Sequence, residues 1–220
     1  TAYGGVPFVD HVLSPNEFQM ERAEEDEIWD FIELNLDEAI DDLRLRSELR
    51  FDDYGRVTKG AARALLLKTL VYREKWFEAL TLGKIIIATN QYSLAANYED
   101  IFTIMGENGP GSIFEIQRSS QGGGYWGNVN GANDGNLAVV YQLPRGAYGG
   151  WGFNIPQQSF VDEFESGDPR LNATVFQIGD ELCDRGILSK SSTGFEHDFY
   201  SKKYFACRSE HELINIGDPV

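Results

Sequence analysis

The stretch from Gly55 to Leu94 constrains the fold of this chain more than any other part of its sequence. Apolar and small residues recur at steps of three and four over Ala61–Tyr72 and again over Trp76–Ile87, and the polar pair Glu74-Lys75 separates the two runs. This spacing predicts two amphipathic helices joined by a tight turn. Thr58 is predicted to cap the first helix, because a threonine hydroxyl accepts an N–H from the first helical turn.

The residue sizes in this stretch predict how the two helices pack. Small residues at Ala61, Ala62 and Ala79 let the helix axes approach closely, and Tyr72 and Trp76 are predicted to fill the wedge at the turn. Such a pair has the geometry of one tetratricopeptide-type hairpin, which stacks on neighbours because it cannot bury its apolar face alone. The predicted fold class is mainly α, a tetratricopeptide-like helical scaffold with long ordered loops and a few short strands.

Other elements are predicted from local patterns. A helix is expected over Glu21–Leu45, where apolar residues share one face and the charged ends suit the helix dipole. Asn90 is predicted to cap the end of the hairpin. Short helices are predicted over Tyr98–Met105 and Ile155–Glu165, and strands over Ser112–Gln117, Leu171–Ile178 and Tyr200–Ala206.

The charge balance excludes two classes of partner. The chain has 220 residues and a formal net charge of −16, with 19 Lys and Arg against 35 Asp and Glu. Affinity for nucleic acid depends on Lys and Arg, so we expect no nucleic-acid partner. For the same reason we expect no basic face that docks on anionic lipid. No run of apolar residues reaches the length of a membrane-spanning helix.

The two cysteines, Cys183 and Cys207, leave their pairing open. Isolated disulfides occur in secreted proteins. Unpaired thiols are nevertheless favoured here, because a chain of this size can bury a core without a covalent link. Neither cysteine has a histidine or a second cysteine at metal-binding spacing, so no metal site is predicted.

The composition changes from Gln121 to Gly152. Ten of these 32 residues are glycine, five are tyrosine or tryptophan, and two are charged. Flexible linkers lack aromatic residues, and this many glycines disfavour a packed helix or a regular sheet. A long ordered loop of this kind is usually functional. We therefore expect the ligand-binding site in this loop.

Aromatic residues in this loop suit the recognition of sugars. A flat indole or phenol complements the C–H face of a sugar ring, and amide side chains bridge its hydroxyl groups. The candidate ligand-binding residues are Tyr125, Trp126, Tyr148 and Trp151, with Asn128, Asn130 and Asn154 as polar partners. The alternative is that these aromatic residues pack the loop onto the scaffold. That alternative is strongest for Trp151, whereas Tyr125 and Trp126 are the better candidates.

The sequence offers no arrangement that favours catalysis. The three histidines, His11, His197 and His211, lie in no nucleophile or metal motif. Acidic residues at 162–165 cluster on one predicted helix, which does not make the facing pair that glycoside hydrolysis requires. The triple glycine at 122–124 is followed by Tyr-Trp and not by a phosphate-binding cation. We predict that the protein is not an enzyme.

The two-helix stretch resembles the hairpin of the SusD/RagB family, the outer-membrane nutrient-binding lipoproteins of Bacteroidetes. That family keeps a Gly-Arg-x-Thr-Lys-x-Ala-Ala start, a tyrosine before the turn and Trp-x-x-Ala-Leu after it, and this chain has GRVTKGAA, Tyr72 and WFEAL. Further segments resemble the family in the same order: YGGVPFV at Tyr3–Val9, YSL at Tyr92–Leu94, SIFEIQ at Ser112–Gln117, FNIPQQSFVDEFESGDPRL at Phe153–Leu171 and KKY at Lys202–Tyr204. Together they cover nearly the whole chain.

The resemblance implies a non-catalytic protein on the outer face of the outer membrane. It would bind an oligosaccharide or polysaccharide and deliver it to a TonB-dependent, SusC-like transporter. The resemblance implies no cofactor, and it implies membrane association through a lipid anchor that we expect in a missing N-terminal segment. A peptide ligand is the alternative within the family. An adaptor that binds protein partners through stacked hairpins is disfavoured. Such an adaptor needs several hairpins and no glycine-rich loop, whereas this sequence has only one clear hairpin and a prominent loop.

The resemblance also sets an expectation for the extent of the chain. Family members are more than twice as long, so we expect an internal fragment of a longer protein. It is predicted to be a single SusD-like domain that is incomplete at both ends. The helical scaffold is expected over about residues 21–105, and the loop-rich ligand-binding portion over about residues 112–220.

Overall fold

The computed structural model of this chain describes residues 2–117, 138–205 and 207. These residues divide into two units. The first unit runs to Leu94 and includes Pro110–Glu115, and the second comprises Ala95–Gly109 and the described residues from Ile116 onward. The expectation that the whole chain is one domain stays a prediction.

Three helices form the first unit. They are α1 (Glu25–Asp42), α2 (Lys59–Tyr72) and α3 (Trp76–Ala88), with short 3-10 turns at Pro15–Glu17, Arg46–Glu48 and Phe51–Asp53. The predicted hairpin is confirmed as α2 and α3. The Thr58 hydroxyl accepts the Ala61 N–H at 3.2 Å, as predicted for the cap. Asn90 follows α3 with φ 52°, the left-handed conformation that commonly ends a helix.

The hairpin packs its core against α1. The buried side chains here are Leu66, Leu70 and Ala79, and Leu36, Ile40 and Leu82 pack against them. Ala62 and Ala79 are both buried, which agrees with the close approach predicted from their small size. The core of this unit therefore lies between one face of the hairpin and α1.

The prediction for the turn end of the hairpin is wrong. Trp76 is 60% exposed, and Tyr72 is also largely exposed. Tyr72 stacks on Trp29 with ring centroids 6.4 Å apart, so both rings cover the surface between α1 and α2 and fill no wedge. Helix α3 leaves Phe77 and Ile87 exposed as well. A hairpin that buries only one face is typical of units that stack on neighbours.

Ion pairs join α1 to the end of the hairpin's first helix. The Arg73 guanidinium donates to Asp30 at 2.6 Å and to Glu33 at 2.8 Å, and the Lys75 ammonium contacts Glu33 at 2.8 Å. The hydrogen bond to Asp30 is the main cause that raises the pKa of Arg73. These bonds hold the turn region of the hairpin against the middle of α1.

The second unit is built from short elements. Its helices are α4 (Ala138–Gln142), α5 (Gln158–Asp162), α6 (Pro169–Thr174) and α7 (Lys190–Thr193), with 3-10 turns at Glu99–Phe102, Ile104–Gly106, Gly146–Tyr148 and Cys183–Arg185. Strands β1 (Val175–Gln177) and β2 (Phe199–Ser201) pair antiparallel, with Val175 opposite Ser201. The core contains Tyr148, Phe176, Leu182, Leu188 and Tyr200. Among all the described helices, none is both long enough and apolar enough to cross a bilayer.

Several predicted element types in these regions are wrong. Residues 112–117 form no strand within the described part of the chain, and 98–105 forms two 3-10 turns in place of one helix. The strand predicted over Leu171–Ile178 begins as helix α6. The Asp168 carboxylate accepts the Arg170 N–H at 2.9 Å, and Pro169 occupies the first helical position. This cap and this proline start a helix before strand β1 can begin.

Cys183 and Cys207 form a disulfide, with an S–S distance of 2.11 Å. The expectation of unpaired thiols is therefore wrong. The folded second unit brings the two Cα atoms to 5.8 Å, although the cysteines are 24 residues apart in sequence. This proximity depends on tertiary structure and not on the spacing of the cysteines in sequence.

Candidate ligand-binding surface

The segment that follows α4 folds back onto that helix. The Trp151 N–H donates to the Val140 carbonyl at 2.9 Å, and the Phe153 N–H donates to the Tyr141 carbonyl at 2.7 Å. The Gly152 N–H donates to the Leu143 carbonyl at 3.0 Å. These backbone bonds fix residues 151–153 against α4 and its end.

Glycine is required at particular points of this return segment. Gly149 and Gly152 adopt φ values of 79° and 61°, which L side chains rarely adopt. Gly150 lies so close to Leu143 that an added Cβ would stand 2.0 Å from the Leu143 carbonyl oxygen. Leu143 is itself fully buried and anchors the segment. The glycines around Trp151 therefore allow the backbone to pack closely on Leu143, and they are not there for flexibility.

This packing brings three aromatic rings together, Tyr141, Trp151 and Phe153, which we call the aromatic surface. The Trp151 ring lies 5.3 Å from Tyr141 at an interplanar angle of 58°, and 5.9 Å from Phe153 at 87°. Trp151 is 39% exposed and Phe153 is 49% exposed. Large apolar rings that stay exposed on an ordered backbone are typical of binding surfaces.

Three further planar side chains, Arg145, Phe195 and His197, lie in a row beside Phe153 of the aromatic surface. The Arg145 guanidinium carbon lies 5.9 Å from the Phe153 ring centroid and 5.2 Å from that of Phe195. The Arg145 Nε donates to the Trp151 carbonyl. His197 stacks on Phe195 at 6.0 Å with the planes 6° apart. Arg145, Phe195 and His197 are all exposed.

Two of the predicted ligand-binding residues lie in this region, in different environments. Trp151 is the centre of the aromatic surface. Tyr148 is 3% exposed, and its hydroxyl donates to the Ile187 carbonyl at 2.7 Å and accepts the Ser189 N–H at 3.2 Å. Burial leaves the Tyr148 ring no face for a ligand, so its position is structural. The Asn154 amide donates to the Gln142 side chain at 2.9 Å.

The other predicted residues, Tyr125, Trp126, Asn128 and Asn130, lie outside the described residues. Their role stays a prediction. Sequence reasoning missed Tyr141, Phe153, Arg145 and Phe195. A signal for Tyr141 existed, because residues 138–142 contain no glycine and can form the short helix that carries it.

A cleft of about 250 Å³ lies beside the disulfide in the same unit. Its wall includes Lys202, whose ammonium bonds the Glu99 carboxylate and the Asn172 carbonyl, both at 2.9 Å. The ammonium also lies 5.3 Å from the Phe176 ring centroid. These contacts satisfy the cation, so the cleft is a weaker candidate than the aromatic surface.

Two groups of titratable residues bear on metal or acid–base chemistry. Cys183, Asp184 and Cys207 bring three potential ligand atoms within 4.8 Å of one another, but the two sulfur atoms are bonded in the disulfide. The hydrogen bond between His11 Nδ1 and the accepting Asp10 carboxylate, at 2.7 Å, is the main cause that raises the pKa of the imidazole. His11 is exposed and lies in the first unit, so it adds nothing to the aromatic surface.

No protein-family model matches the sequence, and no curated protein matches it either. Among solved structures, the chain is similar to a laminarin-binding SusD-like protein, with 25% identity over 93% of this chain and 48% of that one and a TM-score of 0.78. It is also similar to surface glycan-binding protein A from Bacteroides thetaiotaomicron in complex with laminarihexaose, at 26% identity, 92% and 45% coverage and a TM-score of 0.71. Surface glycan-binding protein A from Bacteroides uniformis shares the fold, at 22% identity, 94% and 43% coverage and a TM-score of 0.72.

These structures define the fold class of the chain, which is the mainly α SusD-like fold with a helical scaffold. The shared fold, with sequence identities of 25% and 26%, supports the resemblance of this chain to SusD-like proteins. This confirms both the fold class predicted from the sequence and the family resemblance of its segments. The chain spans slightly less than half the length of the structures that it matches.

Proposed function

We propose that this protein binds an oligosaccharide or polysaccharide without catalysis. The observation that carries the proposal is the aromatic surface, where Trp151 and Phe153 stay exposed on a backbone fixed by hydrogen bonds. A sugar ring that stacks on an indole replaces water on both apolar faces, and a rigid platform loses little conformational entropy on binding. Tyr125, Trp126, Asn128 and Asn130 are proposed to extend this surface with further rings and amide groups.

The expected affinity is modest. A few stacked sugars and their hydrogen bonds correspond to dissociation constants from about millimolar to about micromolar, or about −4 to −8 kcal/mol. A protein that passes its ligand to a transporter does not need tighter binding, because slow release would limit delivery.

The similar structures support this assignment. One is a laminarin-binding SusD-like protein, and another was solved with laminarihexaose. The family resemblance supports a location on the outer face of the outer membrane, attachment through an N-terminal lipid anchor, and delivery of the glycan to a TonB-dependent, SusC-like transporter. A peptide ligand is the alternative occupant of the same surface, because aromatic rings and amides also recognise peptides.

The proposal is tested by affinity electrophoresis of the full-length protein in native gels that contain soluble polysaccharides. We expect one or more glycans to retard the wild-type protein and Trp126→Ala to reduce the retardation without lowering the melting temperature. Trp76→Ala is the matched control, since that tryptophan is exposed on α3 in the first unit. If no glycan retards the protein and a peptide from a pool binds it, the proposed ligand is a peptide and not a glycan.

A further inference from the structure

Arg145 is an exposed cation that has no acidic partner among the described residues. Its contacts are the two aromatic rings and the Trp151 carbonyl. The chain carries 35 acidic residues against 19 basic ones, and cations such as Arg73, Arg170 and Lys190 form ion pairs with them. Arg145 therefore differs from these cations, because it lies beside the aromatic surface and pairs with no described carboxylate.

The surroundings of Arg145 prepare it to bind an anion. Its Nε is occupied by the Trp151 carbonyl, so its two terminal nitrogens have no acceptor among the described residues. The rings of Phe153 and Phe195 lie within 5.9 Å and 5.2 Å of the guanidinium carbon, which is within reach of a cation–π contact. A planar guanidinium held in this way presents paired N–H donors, which match the geometry of a carboxylate or a sulfate oxygen pair.

We infer that the ligand of the aromatic surface is an acidic saccharide, and that Arg145 binds its carboxylate or sulfate group. This inference rests on the proposed glycan-binding function. A sugar ring that stacks on Trp151 or Phe153 places its substituents at the edge of the ring, next to the guanidinium. The arginine therefore selects for charge, whereas the aromatic rings accept any sugar with an apolar face.

The acidic residues on either side of His197 form ion pairs with a lysine. Glu196 and Asp198 flank His197, and the Lys190 ammonium contacts them at 3.6 Å and 2.7 Å. Hydrogen bonding to Asp198 is the main cause that raises the pKa of Lys190, so this lysine is charged at neutral pH. It offsets part of the negative charge that would otherwise repel an anionic ligand.

The experiment uses matched pairs of polysaccharides that differ in charge. The acidic probes are polygalacturonate and alginate for carboxylate and kappa-carrageenan for sulfate, and each is compared with its carboxyl-reduced or desulfated form. Laminarin is the neutral reference. We expect at least one acidic probe to bind the full-length protein about tenfold more tightly than its neutral form. Which pair shows the difference identifies carboxylate or sulfate as the anion.

Substitutions then assign the difference to Arg145. Arg145→Gln is expected to remove the preference for the acidic form, and Arg145→Lys to retain only part of it, because an ammonium lacks the paired donors. Arg50→Gln is the matched control, an exposed arginine of the first unit. Melting temperatures of all variants exclude unfolding as the cause.

The outcomes separate this inference from the function on which it rests. Equal binding of acidic and neutral forms, or binding of laminarin alone, overturns the acidic ligand and leaves glycan binding intact. An acidic preference that survives Arg145→Gln in a folded variant overturns the role of Arg145. The absence of binding to every glycan overturns both the inference and the proposed function.

Discussion

The phenol hydroxyl of Tyr148 donates a hydrogen bond to the carbonyl oxygen of Ile187 at 2.7 Å. The same hydroxyl accepts the N–H of Ser189, the residue that caps α7. Tyr148 therefore ties the glycine-rich segment to the core of the second unit, while Trp151, only three residues further on, stays on the surface. The segment divides its aromatic residues between structure and exposure.

This arrangement predicts that Tyr148→Phe lowers stability and leaves ligand binding intact. The substitution removes the partner of the part-buried Ile187 carbonyl and Ser189 N–H, which costs about 0.5–1.5 kcal/mol of unfolding free energy. Chemical denaturation measures this loss, with Tyr72→Phe as a surface control that is expected to be neutral. Loss of glycan retardation in a variant of unchanged stability would instead assign Tyr148 to the ligand.

Two helical glycines are expected to respond differently to alanine. A Cβ on Gly60 would stand 2.0 Å from the Tyr92 hydroxyl and 2.7 Å from its ring, so Gly60→Ala overpacks a buried site by about 1–3 kcal/mol. A Cβ on Gly83 meets only the end of the Leu67 side chain at 3.2 Å. Gly83→Ala is therefore expected to be neutral or to stabilise by up to about 1 kcal/mol. Equal unfolding free energies for the two variants would refute the close contact at Gly60.

The ion pairs of Glu33 are expected to contribute to the stability of the first unit. Glu33→Gln weakens charge-assisted bonds to both Arg73 and Lys75, and we expect a loss of about 1–3 kcal/mol because Glu33 is mostly buried. Glu38→Gln, an exposed acidic position of the same helix, is the control and should stay within about 0.5 kcal/mol of the wild type. Urea denaturation compares the two variants, and equal effects would contradict the network.

Asp168 predicts a defined dependence of stability on pH. Hydrogen bonding to Arg170 is the main cause that holds the pKa of the Asp168 carboxyl below its ordinary value of 3.8. Because the folded state has the lower pKa, the ionised carboxylate stabilises the fold fully above the ordinary pKa of 3.8. This stabilisation is lost as the pH falls from there through the lower pKa of the folded state. The melting temperature of Asp168→Asn should therefore lie below that of the wild type at pH 7, and the gap should narrow towards pH 3. A gap that is constant with pH would contradict this assignment.

The parts of the fold that the sequence predicts well depend on local interactions. Thr58, the helical periodicity and Asn90 act within a few residues, and each is found where the pattern places it. The strand expected over Ser112–Gln117 failed because a strand requires a partner that lies elsewhere in the chain. The predictions of unpaired cysteines and of a buried Trp76 failed for the same reason, since cysteine pairing and burial both depend on tertiary neighbours.

The candidate surface was predictable only in part. The glycine-rich composition drew attention to Trp151, but the same composition hid the short helix α4 and therefore the position of Tyr141. Phe195 is more than forty residues distant in sequence and meets Arg145 only through the fold. The difference between Tyr148 and Trp151 is one of burial, which residue type alone does not reveal.

The most direct test of the central proposal is calorimetric titration of a retarding glycan into the Trp151→Ala variant of the full-length protein, with Trp76→Ala alongside. Loss of the exposed indole is expected to weaken binding by about fivefold to tenfold, because stacking on one ring contributes about 1 to 1.4 kcal/mol. Trp76→Ala is expected to bind as the wild type does. Wild-type affinity in a folded Trp151→Ala variant would contradict the assignment of the aromatic surface as the glycan site.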